Sequence, residues 1–484
     1  MQQVIFSNRQ ALHDVAATRQ LEHLIQQTPP GHTLMARAGL AVARLALAVA
    51  PHAQRIWVAA GPGNNGGDGL EAAMHLQRWG KSCLVTWLGN PEQAPADAKI
   101  ALKNARNAGV AFADSPPEQH DLCIDALLGI GSQLREPAGR MAQWIEHINT
   151  SNAPVLAVDV PTGLQADTGA ASVIRVKASH TLSLLTLKPG FFTAQGRDLA
   201  GTVWLDDLQH GQEGAILVAP SAWLAGQPVT APRSHASHKG SYGDVVVVGG
   251  AKGMTGAALL AASAALHGGA GRVFVSLLDD QPLPLDPTQP ELMFRGLGTL
   301  PLDAMTVVCG CGGGAEIASQ LPELLKSARQ LVIDADGLNA IAQSASLQAL
   351  LGARGQQQRA TVLTPHPLEA ARLLACTAAD IQANRLASAQ QLARRFACTV
   401  ALKGSGTVIA QAETTPAINP TGNARLATAG TGDVLAGLIG ARLAQGHAAF
   451  EAACQAVHQH GQVADLWPPD KALTASRLAH ALPR

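Results

Sequence analysis

The sequence predicts two α/β domains, each a parallel sheet flanked by helices with its chemistry gathered at one sheet edge. Short apolar runs alternate with stretches of helical periodicity, and most of these runs end in a Gly-rich or polar turn. The alternation starts afresh after Gln209 to Arg233, which mixes Gly, Pro and Ala without clear period. At 484 residues the chain is also long for one core, and about two or three domains are the usual solution. The expectation is a first domain over residues 1–215 and a second over 220–484.

Composition narrows the function classes. With 47% hydrophobic and 14% charged residues the chain is globular rather than disordered. Lys+Arg and Asp+Glu are 35 each and no basic run stands out, which argues against nucleic acid or an anionic membrane as partner. Seven cysteines without C-x-x-C spacing suit reduced thiols better than disulfides or zinc. The start MQQVIFSNRQ lacks a signal-peptide pattern, and Arg44 interrupts the apolar stretch Leu40 to Ala50. A cytoplasmic location without a membrane span is expected.

Taken in order, Ala16 to Ala50 carries apolar residues at three- and four-residue spacing and reads as helical. Arg55 to Ala60, RIWVAA, suits a buried strand; it runs into a glycine loop, Gly61 to Gly69 (GPGNNGGDG), with a helix expected over Leu70 to Trp79. Doubly wound folds use this order to set a phosphate or dinucleotide at the carboxyl edge of the sheet. The loop also brings two side-chain amides and a carboxylate into one turn. Amides can hydrogen-bond a pyrophosphate or carboxamide, and an Asn oxygen can ligate a cation. A tight Asn-Gly turn is the plainer alternative. Strands Ser82 to Leu88, Asp121 to Leu128 and Pro154 to Val158 follow, with a helix near Ala94 to Ala108. They bring Asp125, Asp159 and Thr162 beside the glycine loop. Singly each suits a turn or cap; together they offer hard oxygen ligands.

GPGNNGGDG, DALLGIGSQLREPAG, AVDVPTGLQADTG and LTLKPGFFTAQGRDLAG resemble successive signatures of the NAD(P)H-hydrate epimerase domain, the N-terminal half of the bifunctional YjeF/Nnr repair family. The resemblance covers residues 1 to about 210 and implies a Rossmann-like three-layer fold. It implies that hydrated nicotinamide nucleotide is bound by Asn64, Asn65, Gly66, Gly67 and Asp68, and by Gly129, Ile130, Gly131, Ser132, Gln133, Leu134 and Arg135. It implies a potassium ion on Asn65, Asp125 and Thr162, and a substrate-contacting Asp159, the best candidate there for acid/base work. Lys188, in KPG, carries no role from the resemblance.

After Arg233 a second set of elements begins: strand Asp244 to Val248, helix Ala257 to Leu266, strand Gly271 to Leu277. Strands Thr306 to Val308, Leu331 to Ile333, Thr361 to Leu363 and Thr399 to Leu402 end in CGCGGG, DADGLN, TPHP and KGSGT. Ala427 to Gly440, ATAGTGDVLAGLIG, then runs from a glycine turn straight into an apolar helix. Free N–H groups and the positive dipole end make such a start an anion site. Asp433 lies in its first turn, where its charge would repel a phosphate unless it takes a proton from an attacking hydroxyl. A plain dipole-stabilising Asp is the alternative. Asp334 and Asp336 suit magnesium or a helix cap, and His366 between prolines suits a ligand contact or a rigid turn.

GGAKGMTGA, VIDADGLN, LTPHPLEAARLL, LKGSGTVIA and NARLATAGTGDVLAG resemble the ADP-dependent NAD(P)H-hydrate dehydratase, which has a ribokinase-like fold, from about residue 230 to the end. This implies substrate contact for Ala257, Gly314, His366 and Asp433, and AMP-moiety contact for Lys403, Gly404, Ser405, Gly406, Thr407 and Gly432. GCGGG at 310–314 departs from the usual GPGLG, and Arg425 stands where a small residue is expected. The whole then reads as a repair enzyme whose first domain epimerises the R and S hydrates, NADHX and NADPHX. The second dehydrates the S form with ADP and Mg2+, Asp433 acting as base. A homo-oligomer is expected. Two rivals remain: a ribokinase-like vitamin or sugar kinase, which needs no NNGGD domain, and a non-catalytic nucleotide-binding protein, which could lose Asp433.

Overall fold

The structure, a computed structural model, describes residues 1–26, 33–131, 136–209, 218–228, 232–280 and 284–483. The chain divides into two compact units, Met1–Ile5 with Gln10–Trp223 and Phe6–Arg9 with Leu224–Arg484. No helix among the described residues is long and apolar enough to cross a membrane. All seven cysteines are free.

The strands of the first unit are β1 (Gln2–Gln3), β2 (Gln10–Leu12), β3 (Arg55–Ala60), β4 (Ser82–Trp87), β5 (Ala111–Ala113), β6 (Leu122–Ala126), β7 (Val155–Val158), β8 (His180–Leu184) and β9 (Thr202–Asp206). All but β2 form one sheet in the order β1-β9-β8-β7-β6-β3-β4-β5, parallel except for β1 on β9. The residue period of two covers both faces. Ile56, Val58 and Ile124 enter one core, while Trp57, Ala59 and Cys123 pack with Trp144 and Ile145 on the other. From β3 the chain builds outward through β4 and β5, then returns to the opposite side of β3 as β6, with Ala60 beside Ala126. Such a switch point opens a crevice at the strands' carboxyl ends.

Three elements differ from expectation. The helix after β3 spans Asn64–Arg78, so the NNGGD residues form its first turns rather than a loop. Its glycines serve close packing. A Cβ on Gly66 would lie 2.0 Å from the Gly61 carbonyl oxygen, and one on Gly69 would lie 2.5 Å from the Ala126 Cβ. The expected helical stretch Ala16 to Ala50 is in fact two helices, Val15–Gln26 and Leu34–Val49, on either side of Pro29 and Pro30. The stretch read as linker contains a short strand, β10 (Ala222–Leu224).

The second unit carries β11 (Asp244–Gly249), β12 (Arg272–Leu277), β13 (Met293–Phe294), β14 (Thr306–Cys309), β15 (Gln330–Ile333), β16 (Thr361–Leu363), β17 (Thr399–Leu402), β18 (Val408–Gln411) and β19 (Thr414–Ile418). They run in the order β13-β12-β11-β14-β15-β16-β17-β18-β19. Pairing is parallel as far as β17 and antiparallel beyond it. Here the switch point lies between β11 and β14. The helix Thr431–Ala444 is buried from Val434 to Leu443, a stretch that is apolar on every side but for Arg442. It approaches the helix Thr255–His267 so closely that a Cβ on Gly437 would meet the Ala261 carbonyl oxygen at 1.9 Å. Its first turn is thereby fixed at the sheet edge.

Candidate functional sites

In the first unit, a cavity of about 440 Å³ opens at the switch point, lined by Asn64, Asn65, Asp68, Gly129, Ile130, Gly131 and Asp159 among others. Gly66 and Gly67 are buried beneath it, and Ser132, Gln133, Leu134 and Arg135 lie outside the described residues. Asp159 follows β7 with φ 65°, a left-handed conformation that costs energy for a residue with a Cβ. Its side chain is held from two sides. Lys188 Nζ, fully buried, donates to Asp159 Oδ1 at 2.6 Å, and the Ile130 N–H donates to Oδ2 at 3.2 Å. Lys188 also donates to the Leu184 carbonyl at 2.8 Å and to Ser183 Oγ at 3.2 Å. This clamp supplies what sequence reading lacked, a place for Lys188 in the site. Asp68 shares the cavity, and desolvation, then the charges of Asp159 and Glu22, push its carboxyl well above the usual range. The site thus holds one carboxylate paired with a cation and one favouring its proton.

Asp125 and Thr162 are fully buried and meet each other. The Thr162 hydroxyl donates to Asp125 Oδ1 at 2.7 Å and the Thr162 N–H to Oδ2 at 2.8 Å, while the Leu127 N–H donates to Oδ1 at 3.2 Å. These donors are neutral, and burial pushes Asp125 up to about 6. Thr162 Oγ1 in turn accepts from the Leu128 N–H at 3.1 Å, which ties this pair to the cavity wall. Asn65 lies half-buried above Gly129, with its Nδ2 buried and lacking a hydrogen-bond partner. The Asp125 carboxylate and the Thr162 hydroxyl, with one lone pair left, are hard-oxygen donors of the kind a monovalent cation takes, whereas the unsatisfied Asn65 Nδ2 is an N–H donor and suits an acceptor on a bound molecule.

In the second unit the chemistry converges from four strand ends. Asp334, after β15, accepts from Lys403 Nζ at 2.6 Å and from Thr364 Oγ1 at 2.8 Å, both on Oδ1. Lys403, after β17, is desolvated but faces Asp334 and Glu369, which hold it above the ordinary lysine range. Its ammonium lies 3.3 Å from where a Gly432 Cβ would stand, in the first turn of the Thr431–Ala444 helix. Gly430 caps that helix with φ 89°. Asp433 is pushed up to about 6 by desolvation and then by Asp334. Cys311 Sγ and carboxylate oxygens of Asp334 and Asp433 lie within 4.8 Å of one another. Burial and the two carboxylates drive the Cys311 thiol well above its usual range, so it stays protonated and donates to Asp433.

The other expected residues ring this centre. Gly314, with φ 55°, donates its N–H to Asp336 Oδ2 at 2.9 Å, and the Ala257 Cβ stands 2.9 Å from where a Gly312 Cβ would be. Asp334 is the N-cap residue of the helix Ala335–Gln343, yet its side chain caps nothing and turns to Lys403 instead. His366 caps Pro367–Leu374: its Nδ1 accepts from the Leu368 and Glu369 N–H groups, and Glu369 Oε2 accepts from the His366 N–H at 2.7 Å. The KGSGT turn is held from below by fully buried Arg385, which donates to the Leu402 and Lys403 carbonyls at 3.1 Å each; Gly404, Ser405, Gly406 and Thr407 make the turn itself. Buried His460, lowered to about 4 by desolvation, donates from Nε2 to the Thr431 carbonyl at 2.9 Å and pins the turn that carries Asp433. Arg385 and His460 gave no motif signal; Cys311 stood visible in GCGGG.

Comparison with known proteins matches residues 245–484 to a family described as NAD(P)H-hydrate dehydratase and residues 31–190 to one described as YjeF-related protein N-terminus. The bifunctional NAD(P)H-hydrate repair enzyme Nnr of Escherichia coli K12 is 36% identical over 462 residues, covering 90% of this chain and 85% of its own. That of Vibrio cholerae is 36% identical over 453 residues, covering 90% and 88%. Among solved structures, an ADP/ATP-dependent NAD(P)H-hydrate dehydratase from Bacillus subtilis, co-crystallised with ATP and Mg2+, is 28% identical with a TM-score of 0.45, covering 52% of this chain and 91% of its own.

Proposed function

Because this chain belongs to the bifunctional NAD(P)H-hydrate repair family, we propose that it restores NADH and NADPH from their hydrates with the residues described above. The first unit, Rossmann-like, interconverts the R and S hydrates. The second, ribokinase-like, dehydrates the S form at the expense of ADP, giving NAD(P)H, AMP and phosphate. The observation that carries this reading is the joining of Asp433, Lys403 and Asp334 at the start of one glycine-capped helix.

Hydroxide is a poor leaving group and phosphate a good one, so phosphorylation must precede elimination. Asp433 takes the proton from the C6 hydroxyl as its oxygen attacks the β-phosphorus of ADP and the bond to the AMP oxygen breaks. The N–H groups of Gly432 and Asp433 face the transferring charge, and Lys403, fixed by Asp334, balances it. The C6–O bond of the resulting phosphate ester then breaks with loss of a proton from the neighbouring ring carbon, releasing phosphate and restoring the double bond. The KGSGT turn holds the AMP moiety; Ala257, Gly314 and His366 bound the nicotinamide side. A magnesium ion would be held with the ADP phosphates near Asp334 and Asp433, where it would neutralise phosphate charge.

In the first unit Asp68 protonates the departing C6 hydroxyl, and Asp159, held in place by Lys188, takes a proton from the water that re-adds to the opposite face. Asn65, Asp125 and Thr162 would hold potassium, which supplies a fixed positive charge under the cavity wall. A cytoplasmic location and a homo-oligomer complete the proposal; light scattering reads the latter. The reading is tested by giving the purified protein hydrated NADH and ADP. Recovered nicotinamide absorbance with AMP in equal amount supports it, and a stable phosphorylated product made from ATP would replace it with the kinase.

A further inference from the structure

The cavity of the first unit is acidic, although the hydrated dinucleotide it is proposed to take carries a doubly negative pyrophosphate. Glu22, Asp68, Asp97 and Asp159 line it with carboxyls, and among the described residues Arg19 is the one cationic side chain on its wall. Lys188 is fully buried, and its three protons go to Asp159 Oδ1, the Leu184 carbonyl and Ser183 Oγ. None is left for a phosphate. Arg19 plays no part in the reaction derived above.

Arg19 and Glu22, three residues apart, lie on one face of the helix Val15–Gln26. Glu22 feels the charge of Arg19, yet no hydrogen bond or ion pair holds the guanidinium among the described residues. Its Nη2 stands 3.6 Å from where a Gly131 Cβ would be, and the neighbouring Ile130 N–H is the donor to Asp159 Oδ2 at 3.2 Å. This exposed cation therefore stands on the wall that orients the proposed acid/base carboxylate. The helix Asn64–Arg78 opens into the same cavity with further donors. Its N-cap, Gly63, has no side chain to cap the first turn, and a Cβ there would meet nothing within 4 Å, so space lies before those N–H groups. Asn65 Nδ2 is buried with no acceptor. A guanidinium without a partner, an uncapped helix start and an unsatisfied amide share one cavity, a donor set for phosphate oxygens.

The pyrophosphate is joined to the hydrated ring through one ribose, whereas the 2′-phosphate of NADPHX lies beyond the pyrophosphate, on the adenylate ribose. With C6 at Asp159, a cation one residue along the wall from the donor to that carboxylate is in reach of the nearer group. We propose that Arg19 binds the pyrophosphate of the substrate and so sets the affinity of the epimerase site for NADHX and NADPHX alike. A guanidinium fork suits two oxygens of such a group. This proposal rests on the epimerase reading.

The test is R-to-S conversion by the full chain without ADP, so that the second unit stays idle, in wild type, Arg19→Ala and Arg19→Lys. The substrates are the R forms of NADHX and NADPHX and the hydrate of reduced nicotinamide riboside, which carries no phosphate. Losing one charge-assisted contact should lower kcat/KM for both dinucleotides by the same factor, roughly 10- to 100-fold in Arg19→Ala and chiefly through KM. Arg19→Lys should fall between, since it keeps the charge and loses the fork. With the riboside hydrate, wild type and Arg19→Ala should convert at equal rates. Unchanged kcat/KM for the dinucleotides, an equal loss with the riboside hydrate, or a loss confined to NADPHX, which would move Arg19 to the 2′-phosphate, would each overturn the proposal. Wild-type protein that epimerises neither dinucleotide would overturn the reading beneath it, and the proposal with it.

Discussion

Asp433 separates a catalyst from a mere nucleotide holder. Asp433→Asn should cut dehydration by about 10² to 10⁴ while ADP binding, held by backbone amides, changes little; calorimetric titration with ADP checks the second half. Its carboxyl, pushed up to about 6, must be ionised to accept a proton. The rate should therefore fall as pH drops below about 6, and a profile flat to pH 5 would remove Asp433 as base. In the first unit, Asp159→Asn should lower the epimerisation rate constant with little change in substrate binding. Lys188→Met should do likewise, because the carboxylate loses the cation that fixes it. Turnover near wild type in both would remove the proposed pair. Asp433 and Asp159 were legible because each follows a strand or glycine turn that declares a sheet edge. The ion pairs around them were not: Lys188 lies 29 residues from Asp159 and Lys403 lies 69 from Asp334, separations that no local pattern encodes.

At the scale of elements, the helix Asn64–Arg78 carries the clearest lesson. Glycine disfavours helices, so NNGGDG reads as a loop from propensity. Tertiary packing overrides that preference, since the helix can sit on the sheet only where side chains are missing. Gly66→Ala should destabilise the protein by about 1–3 kcal/mol, with loss of epimerase activity before dehydratase activity, measured by thermal denaturation and two separate assays. Stability equal to wild type would show that the close approach to Gly61 is not real. The strands read from the sequence match closely, Arg55–Ala60 and Thr399–Leu402 residue for residue, because apolar runs bounded by turns leave little choice. The strands β1, β2, β5, β8, β9, β10, β13, β18 and β19 were missed, for their short or polar-edged runs carry weak period.

For the molecule as a whole, burial of Asp125 ties stability to cation and pH. A carboxyl raised to about 6 favours folding most fully below its ordinary 3.8, and that contribution is lost as pH rises through about 6, on the order of 3 kcal/mol. A potassium ion held there, as proposed, would offset the loss. Potassium, compared with tetramethylammonium at equal ionic strength, should therefore raise the melting temperature more at pH 8 than at pH 5, and Asp125→Ala should abolish the difference. The division into two units was legible from the restart of the strand and helix pattern, whereas the assignment of Phe6–Arg9 to the second unit was not, being a long-range contact. On the proposed function, two chemistries on this chain act in series on one damaged cofactor. The most direct test gives the full chain a mixture of R and S hydrated NADH with excess ADP, and follows nicotinamide absorbance and AMP together. Complete recovery of NADH with one AMP per molecule restored is expected, and recovery of about the S fraction alone in Asp159→Asn. Recovery that stops at the S fraction in wild type, or NADH formed without AMP, would contradict it.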